Sequence, residues 1–264
     1  MLKINMWEKL IVRFFIIWYI CGVVLLTFDL LPPWLEWANV VFLVTAGTLG
    51  AIYFIKNYRS IGFFFTFLVF FAAMAAEHFG VKYGFLFGDY YYNSYFGPKL
   101  FDVPITIGFA WVLVISTSHV LANRVIPNAP ILIKATLAAL ATVVLDLIID
   151  PVAFIAKEYW IWEGTSFYYD IPMFNFYSWF GLSFLFHMVI LLLSKNISPK
   201  ENQYWEKNMY VLYGLMIGMF CMIAITAELY LALTVTIIPT LLLYLATLRS
   251  KEFLHDSSKK KQTV

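Results

Sequence analysis

Long apolar runs, separated by short polar segments, follow one another along most of the chain. Six of them are long enough to cross a bilayer once as a helix, and a last apolar stretch, from about 209 to 248, is about twice that length. We divide this last stretch at Glu228, which gives eight predicted helices. The six single runs cover residues 11–31, 38–55, 61–79, 104–122, 131–150 and 174–193. The pattern therefore predicts an all-α fold, a polytopic transmembrane helical bundle of about eight helices.

The composition is that of a membrane protein and excludes an ordinary soluble domain. Apolar residues make up 62% of the chain and charged residues 13%, and the mean hydropathy is +0.80, whereas soluble domains carry about 25% charged residues. The first run leads into Pro32 and Pro33 without a small-residue cleavage site, so we interpret it as a retained helix rather than a signal peptide. The sequence has no P-loop, no dinucleotide-binding glycine pattern, no Gly-x-Ser-x-Gly motif and no mid-helix lysine, which argues against nucleotide-dependent, serine-hydrolase and retinal-binding functions.

The basic residues predict the orientation in the membrane. If the N-terminus is cytoplasmic, all but three of the 18 Lys and Arg residues fall on the cytoplasmic side, the exceptions being Lys82, Lys99 and Lys157. Seven helices would instead place the basic C-terminus outside, so we prefer eight, with both termini cytoplasmic in a multi-pass protein of the cell membrane. Residues 1–248 form a single transmembrane domain, and 249–264 form a charged cytoplasmic tail that we expect to be disordered.

Acidic residues near the helix ends fall on the opposite, outer side. Acids inside a membrane are costly, so they usually mark function. We interpret Asp29 and Glu228 as markers of helix ends. The outer side also holds the two longest loops, 80–103 and 151–173, so it is the predicted working face. The acidic residues concerned are Asp29, Glu77, Asp146, Asp150 and Glu228.

Asp146 and Asp150 are four residues apart, so they share one face of the predicted helix. Two carboxylates this close to hydrocarbon raise each other's proton affinity, so that one can stay protonated at neutral pH and serve as an acid. Asp150 could instead cap the helix before Pro151 and lie in water, and for it both interpretations stay open. Asp146 lies about 6 Å deeper, and for it we favour function. Glu77 either faces the two aspartates and completes an acid/base set or forms an interfacial pair with His78.

The two outer loops are rich in aromatic residues. Trp and Tyr collect at membrane interfaces, which accounts for their number. In the first loop they alternate with Gly80, Gly84, Gly88 and Gly97, which predicts a tightly folded, partly re-entrant segment that lines a cavity. Aromatic faces stabilise a cation by about 0.5–2 kcal/mol each. An aromatic pocket beside a carboxylic acid suits chemistry that passes through a carbocation.

No metal site is predicted. His119 and His187 lie far along their helices, toward the cytoplasmic side, and we expect hydrogen-bonded packing residues there rather than ligands. Cys21 and Cys221 fall inside apolar runs, without disulfide or metal spacing, and we interpret them as small hydrophobic residues.

Two blocks of residues together resemble a known family. The first block reads Glu77-x-x-Gly80-x-x-x-Gly84-x-x-Phe87-Gly88-x-Tyr90-x-Tyr92, followed by Gly97-Pro98 and Val103-Pro104. The second block reads Asp146-x-x-x-Asp150-Pro151, Trp160-x-Trp162 and Pro172-x-x-Asn175-Phe176-x-x-Trp179. These blocks resemble the membrane carotenoid hydratases, which include the bisanhydrobacterioruberin hydratases and the γ-carotene 1′,2′-hydratases. Ser178 departs from the glycine expected before the last tryptophan.

The resemblance implies a hydratase (hydro-lyase) that adds water to a terminal isoprene double bond of an acyclic carotenoid end, without a cofactor. From the chemistry of these residues we assign the role of acid to Asp146 or Asp150, the activation of water to Glu77 and the positioning of water to Asn175. The resemblance supplies the positions of these residues, not their roles. The substrate and partners would be a carotenoid or another long isoprenoid, the lipid bilayer and other carotenoid-pathway enzymes, but no nucleic acid. The residues around the substrate would be Tyr90, Tyr92, Trp160, Trp162, Trp179, Gly84 and Gly88.

Two alternatives belong to other classes. An Asp-x-x-x-Asp pair near a membrane surface also occurs in intramembrane prenyltransferases, where it binds a Mg²⁺-diphosphate. Such enzymes need a second Asp-rich motif and more basic residues than the outer face offers. A transporter or a non-enzymatic carotenoid-binding protein could use the acid pair as a proton sensor, but transporters often have internal repeats and broken helices, and neither is evident.

Overall fold

The computed structural model describes residues 4–195 and 202–262. Within these ranges the fold is built on seven long helices, each with a segment long and apolar enough to cross a membrane. They are α1 (Met6–Thr27), α2 (Trp37–Tyr83), α3 (Ile105–Val125), α4 (Ile131–Pro151), α5 (Met173–Leu193), α6 (Gln203–Thr226) and α7 (Tyr230–Gln262). The prediction of an all-α transmembrane fold is confirmed.

Helix α2 contains two crossing segments joined without a loop. Its 47 residues would extend about 70 Å if straight, more than twice the thickness of a hydrocarbon core. Arg59 leaves helical geometry, with φ 55° and ψ −128°, and the rings of Phe54 and Phe65 lie 4.9 Å apart across the break. Gly62 lies against the Phe54 backbone, where a Cβ would collide with it. The chain therefore reverses at Arg59, so the seven helices of the described residues contain eight segments of crossing length.

Short strands join the two aromatic loops at one end of the bundle, which we call the loop end. β1 (Tyr90–Tyr92) pairs antiparallel with β4 (Trp160–Trp162). β2 (Lys99–Leu100) pairs with β3 (Val103–Pro104) within the first loop. Short 3₁₀ turns at Pro33–Leu35 and Ser94–Phe96 and a π-helical turn at Val152–Ala156, directly after α4, complete the described elements. The strand that ties one loop to the other was not predicted.

Helix α3 lies at the centre of the bundle and α1 at its edge. In the apolar window of α3, 83% of the residues are buried, against 17% in α1. Helix α2 approaches α3 closely at Gly47. A Cβ at this position would lie only 2.5 Å from the Phe109 carbonyl oxygen. Helix α4 packs against both α3 and α5. The ends of α2, α4 and α5 consequently meet beneath the aromatic loops.

Two helix ends differ from the prediction. Helix α2 continues to Tyr83, so Glu77 lies within its last two turns, and Gly84 then ends the helix with a left-handed φ of 62°. Helix α7 continues through the charged tail as far as Gln262, where we expected disorder from residue 249 onward. Lys, Glu and Leu are good helix formers, and a helix that is already nucleated extends into them readily.

The topology can be tested with reporter fusions. An even number of crossings places both termini on one side of the membrane, and the distribution of Lys and Arg predicts that this side is the cytoplasm. We expect a reporter fused after Arg249 to give a cytoplasmic signal. A fusion after Asp102, in the first aromatic loop, is the matched control and should report the outer side. An external signal after Arg249 would contradict the even number of crossings.

Candidate functional site

Glu77 is the centre of a buried hydrogen-bond cluster at the loop end. Glu77 is only 4% exposed. The hydroxyls of Tyr90 and Tyr92 donate to Oε2 at 2.5 and 2.8 Å, and Trp111 Nε1 donates to Oε1 at 3.0 Å. Both carboxylate oxygens therefore accept hydrogen bonds, and the three donors, from β1 and α3, fix the orientation of a side chain carried by α2.

Strand β1 presents both tyrosines to the same side. Alternate residues of a strand point to one face, and Tyr90 and Tyr92 are buried while Tyr91 is exposed. Burial, and then the charge of the Glu77 carboxylate, raise the pKa of both buried tyrosines well above the ordinary value. The two hydroxyls therefore stay protonated and remain donors to Glu77.

Asp146 and Asp150 form a second buried cluster, which includes Asn175. The Asn175 amide, in the first turn of α5, donates to Asp146 Oδ2 at 3.0 Å and also to Asp150 Oδ2. Trp160 Nε1 donates to Asp150 Oδ1 at 2.9 Å. Asp150 is only 3% exposed, and the chain continues helically beyond Pro151. A solvated helix cap at Asp150 is therefore wrong.

One cavity in the described part of the chain is lined by residues of both clusters. It lies beneath the strand pair and between the helices, and its empty volume is about 1010 Å³, including the part open to the outside. Glu77 and Asp150 both line it, and aromatic side chains from both loops surround the same end. One apolar face of α6 also contributes to the lining, with Met216, Met219, Phe220 and Ile223.

Most of the predicted site residues meet at this cavity. Three do not belong to the described lining: Asp146, Gly84 and Gly88. Asp146 accepts a hydrogen bond from Asn175, which does line the cavity. The two glycines allow the backbone conformation of the first loop, each with a positive φ. The predicted residues that line the cavity are Glu77, Asp150, Tyr90, Tyr92, Trp160, Trp162, Asn175 and Trp179.

Trp111 belongs to the site and was not predicted. Besides donating to Glu77, its ring stacks on that of Trp179 with centroids 4.0 Å apart and planes 12° apart. Its signal in the sequence was only that a buried tryptophan N–H usually needs a partner. Asn39 and Tyr159, joined by a 2.8 Å hydrogen bond, were also missed; they line the cavity near its rim.

The two intramembrane histidines lie away from the cavity lining. His119 Nε2 and the Tyr58 hydroxyl are 2.8 Å apart, so the prediction of a hydrogen-bonded packing residue is confirmed for His119. His187 stacks on it at 5.6 Å, but neither of its ring nitrogens has a hydrogen-bond partner in the described part of the chain, so for His187 the predicted hydrogen bond is wrong. Over the same residues, no group of three or more His, Cys, Asp or Glu is placed to hold a metal ion.

Gly88 is needed for the fit of the first loop against α5. Its φ is +105°, and a Cβ would lie 2.8 Å from Pro172 Cγ. We expect Gly88→Ala to lower the free energy of unfolding by about 1–3 kcal/mol, the usual cost of such a conformation. Thermal unfolding in detergent measures this. Gly181→Ala is the matched control, because a Cβ there meets nothing within 4 Å; equal effects of both changes would contradict the role of Gly88.

The arrangement combines three chemical capacities. Carboxyl groups at Glu77 and Asp150 can give and take protons, aromatic faces can stabilise positive charge, and apolar walls can keep bulk water from a reacting centre. The fold and the site define a multi-pass membrane protein with a buried carboxylate and aromatic site in a largely apolar cavity.

The comparison with known families agrees with this description. A family model described as carotenoid biosynthesis protein matches residues 38–245, a range that includes all the predicted site residues. The chain belongs to this family and has a role in carotenoid biosynthesis. Searches of the curated proteins and of the solved structures each found no significant match.

Proposed function

We propose that the protein hydrates a terminal isoprene double bond of an acyclic carotenoid end, forming a tertiary alcohol without a cofactor. The observation that carries the proposal is the presence of two carboxyl groups, Glu77 and Asp150, on the wall of one aromatic cavity that is otherwise mostly apolar. Family membership supports an isoprenoid substrate of the carotenoid pathway.

Asp150 is the proposed acid. It lines the cavity, whereas Asp146 lies behind it and shares the Asn175 amide with it. Two carboxyl groups held this close together cannot easily both carry a charge, so the pair keeps a proton. Asn175 is a positioning residue in this account, because it holds both carboxyl groups from a neighbouring helix. This revises the preference for Asp146 that depth along the helix suggested.

The proposed reaction has two steps. Asp150 transfers its proton to the less substituted carbon of the double bond, and the π electrons form the new C–H bond and leave a tertiary carbocation. The oxygen of a water molecule then bonds to the cation, while its surplus proton passes to Glu77. Cavity water returns that proton to Asp150. One water is consumed for each double bond, and no electrons enter or leave.

The aromatic residues are proposed to stabilise the cation. Tyr90 and Trp162 face each other across the strand pair with ring centroids 4.7 Å apart, and Tyr92 and Trp160 do so at 5.9 Å. Each suitably placed ring contributes about 0.5–2 kcal/mol to the stability of a nearby cation. The strand pair thus places two aromatic pairs beside the carboxyl groups.

Expression in lycopene-accumulating cells tests the proposal. We expect carotenoids heavier by one or two water molecules, with hydroxyl groups on tertiary carbons. Cells that express Asp150→Asn at the same level are the control. Unchanged carotenoids, with folded wild-type protein in the membrane, would contradict the proposal. A Mg²⁺-dependent transfer of a prenyl group from a diphosphate would favour the prenyltransferase alternative.

A further inference from the structure

Helices α1 and α6 contact each other along a seam, and a hydrogen bond between them closes the part of the seam farther from the loop end. Both run from the opposite end of the bundle toward the loop end. Lys56, beside the reversal of α2, pairs with Glu8 near the start of α1, and the side-chain oxygen of Asn57 accepts from the backbone N–H of Asn202, just before α6. Near the middle of the seam the Tyr19 hydroxyl donates to the Leu215 carbonyl at 2.8 Å. This bond joins the two helices. The part of the seam that borders the cavity begins on the loop-end side of this bond.

Nearer the loop end, the cavity lies directly behind the seam. Leu26 of α1 and Phe220 and Ile223 of α6 line it. Leu26 is seven residues beyond Tyr19, which corresponds to about 10 Å along the helix. Leu26 and Phe220 are half-buried, and Val24, on the same stretch of α1, is 47% exposed. Thin apolar packing therefore separates the cavity from the surrounding lipid here.

A polar rim closes the seam at the loop end. Lys157, which lines the cavity, donates to Asp29 Oδ1 at 3.1 Å, just after the end of α1. Asn39, at the start of α2, donates to the Tyr159 hydroxyl. These bonds fasten the connection between α1 and α2 to the second aromatic loop. The apolar part of the seam is thus bounded by Tyr19 on one side and by this rim on the other.

The cavity is long enough to hold only one end of a long apolar ligand. The α6 residues on its wall have the spacing of one helical face and span about 10 Å. A chain longer than this must leave through a wall, and an apolar exit into lipid leaves no polar group unsatisfied. The strand pair covers the loop end, and α3, the most buried helix, fills the interior.

From these observations we infer that a long acyclic isoprenoid is threaded between α1 and α6, its reacting end at Glu77 and Asp150 and the rest of its chain in the bilayer. Leu26 and Phe220 are then specificity-determining residues, which select for long chains by the width of the seam. The inference rests on the proposed function for the nature of the ligand.

A second apolar groove offers a matched control. It lies between α4, α5 and α7, and its empty volume is about 920 Å³. Phe180 and Val235 line it, but neither Glu77 nor Asp150 does. A chain bound there would not present its end to both carboxyl groups.

The first experiment compares a long with a short substrate in membranes. Initial rates per folded protein are measured with lycopene and with a short acyclic isoprenoid alcohol that carries the same terminal double bond. We expect Leu26→Trp and Phe220→Trp to lower the ratio of the long-chain to the short-chain rate at least about tenfold, because added bulk narrows the seam. Val24→Trp and Phe180→Trp should change this ratio by less than about twofold. An unchanged ratio in both seam variants, or a fall in Phe180→Trp alone, overturns the inference.

The second experiment detects occupation of the seam without turnover. A cysteine is placed at Leu26 or at Val24, in a chain with Cys21→Ser and Cys221→Ser, and its reaction with a lipid-soluble maleimide is timed with and without lycopene. We expect lycopene to slow the reaction at least about fivefold at position 26 and less than about twofold at position 24. Protection at position 26 without hydration would refute the proposed function and keep the threading; equal rates with and without lycopene would refute the threading.

Discussion

Asp150→Asn is expected to lower the hydration rate by about 10²–10⁴-fold, the usual contribution of a positioned general acid. The side chain keeps its shape, and its amide oxygen can still accept from Trp160, so the protein should remain folded in the membrane. Product formed per folded protein, with lycopene already dissolved in the membranes, measures the effect. A rate near that of the wild type would remove Asp150 from the reaction.

Two matched variants make this result specific. Asp102→Asn changes an exposed acid at the same end of the bundle, at a φ of 65° that Asn also tolerates, and should leave the rate unchanged. Asp146→Asn should lower the rate less than Asp150→Asn, because Asp146 acts through the pair and does not line the cavity. The reverse order of the two effects would return the role of acid to Asp146.

Glu77→Gln is the second change with a large expected effect. In the proposed reaction Glu77 receives the proton of the attacking water, and a glutamine cannot, so we expect the hydration rate to fall about 10²-fold or more. The fold should persist, because the amide oxygen can accept from Trp111 while the amide nitrogen donates to the tyrosine hydroxyls. Initial rates and thermal unfolding of the same preparation separate the two effects.

The control for Glu77 comes from the same strand. Tyr91 lies between the two tyrosines that bind Glu77, but its side chain is 45% exposed and faces away from the cavity. Tyr91→Phe should leave both rate and stability unchanged. If Glu77→Gln lowered stability but retained the wild-type rate per folded protein, Glu77 would be a structural residue and another group would have to activate water.

The crossing segments were predictable because the bilayer constrains them strongly. Every spanning segment must be apolar and long enough, so the run 38–55 and the run 61–79 were both recognised, although the structure joins them as α2. The reversal at Arg59 takes place without a loop, and no run of turn residues signals it. Pattern alone therefore predicts the number of crossings better than the geometry that connects them.

Most of the residues that form the site could also be predicted from the sequence, whereas the contacts between them could not. Acids near helix ends pointed to Glu77 and to the aspartate pair. Strands β1 and β4 have three residues each, too few for a periodic signal, and they pair across a large distance in sequence. Trp111 looked like any other tryptophan in an apolar run, because its partner comes from another helix.

Asp146 and Asp150 illustrate the limit most clearly. Depth along the helix favoured Asp146, and the following proline suggested a solvated end at Asp150. In the structure, α4 ends at Pro151 and continues directly into a π-helical turn. Asn175, which lies on α5, donates hydrogen bonds to both carboxyl groups. Which of them faces the cavity depends on the packing of three segments that are far apart in the sequence.

The most direct test of hydration traces the oxygen. Purified protein in lipid vesicles that contain lycopene is supplied with water enriched in heavy oxygen, and the products are analysed by mass spectrometry. The proposed hydration predicts tertiary alcohols in which every new hydroxyl oxygen comes from the labelled water, with no product from Asp150→Asn above background. Absence of any hydroxylated product, or hydroxyl oxygen derived from molecular oxygen, would contradict it.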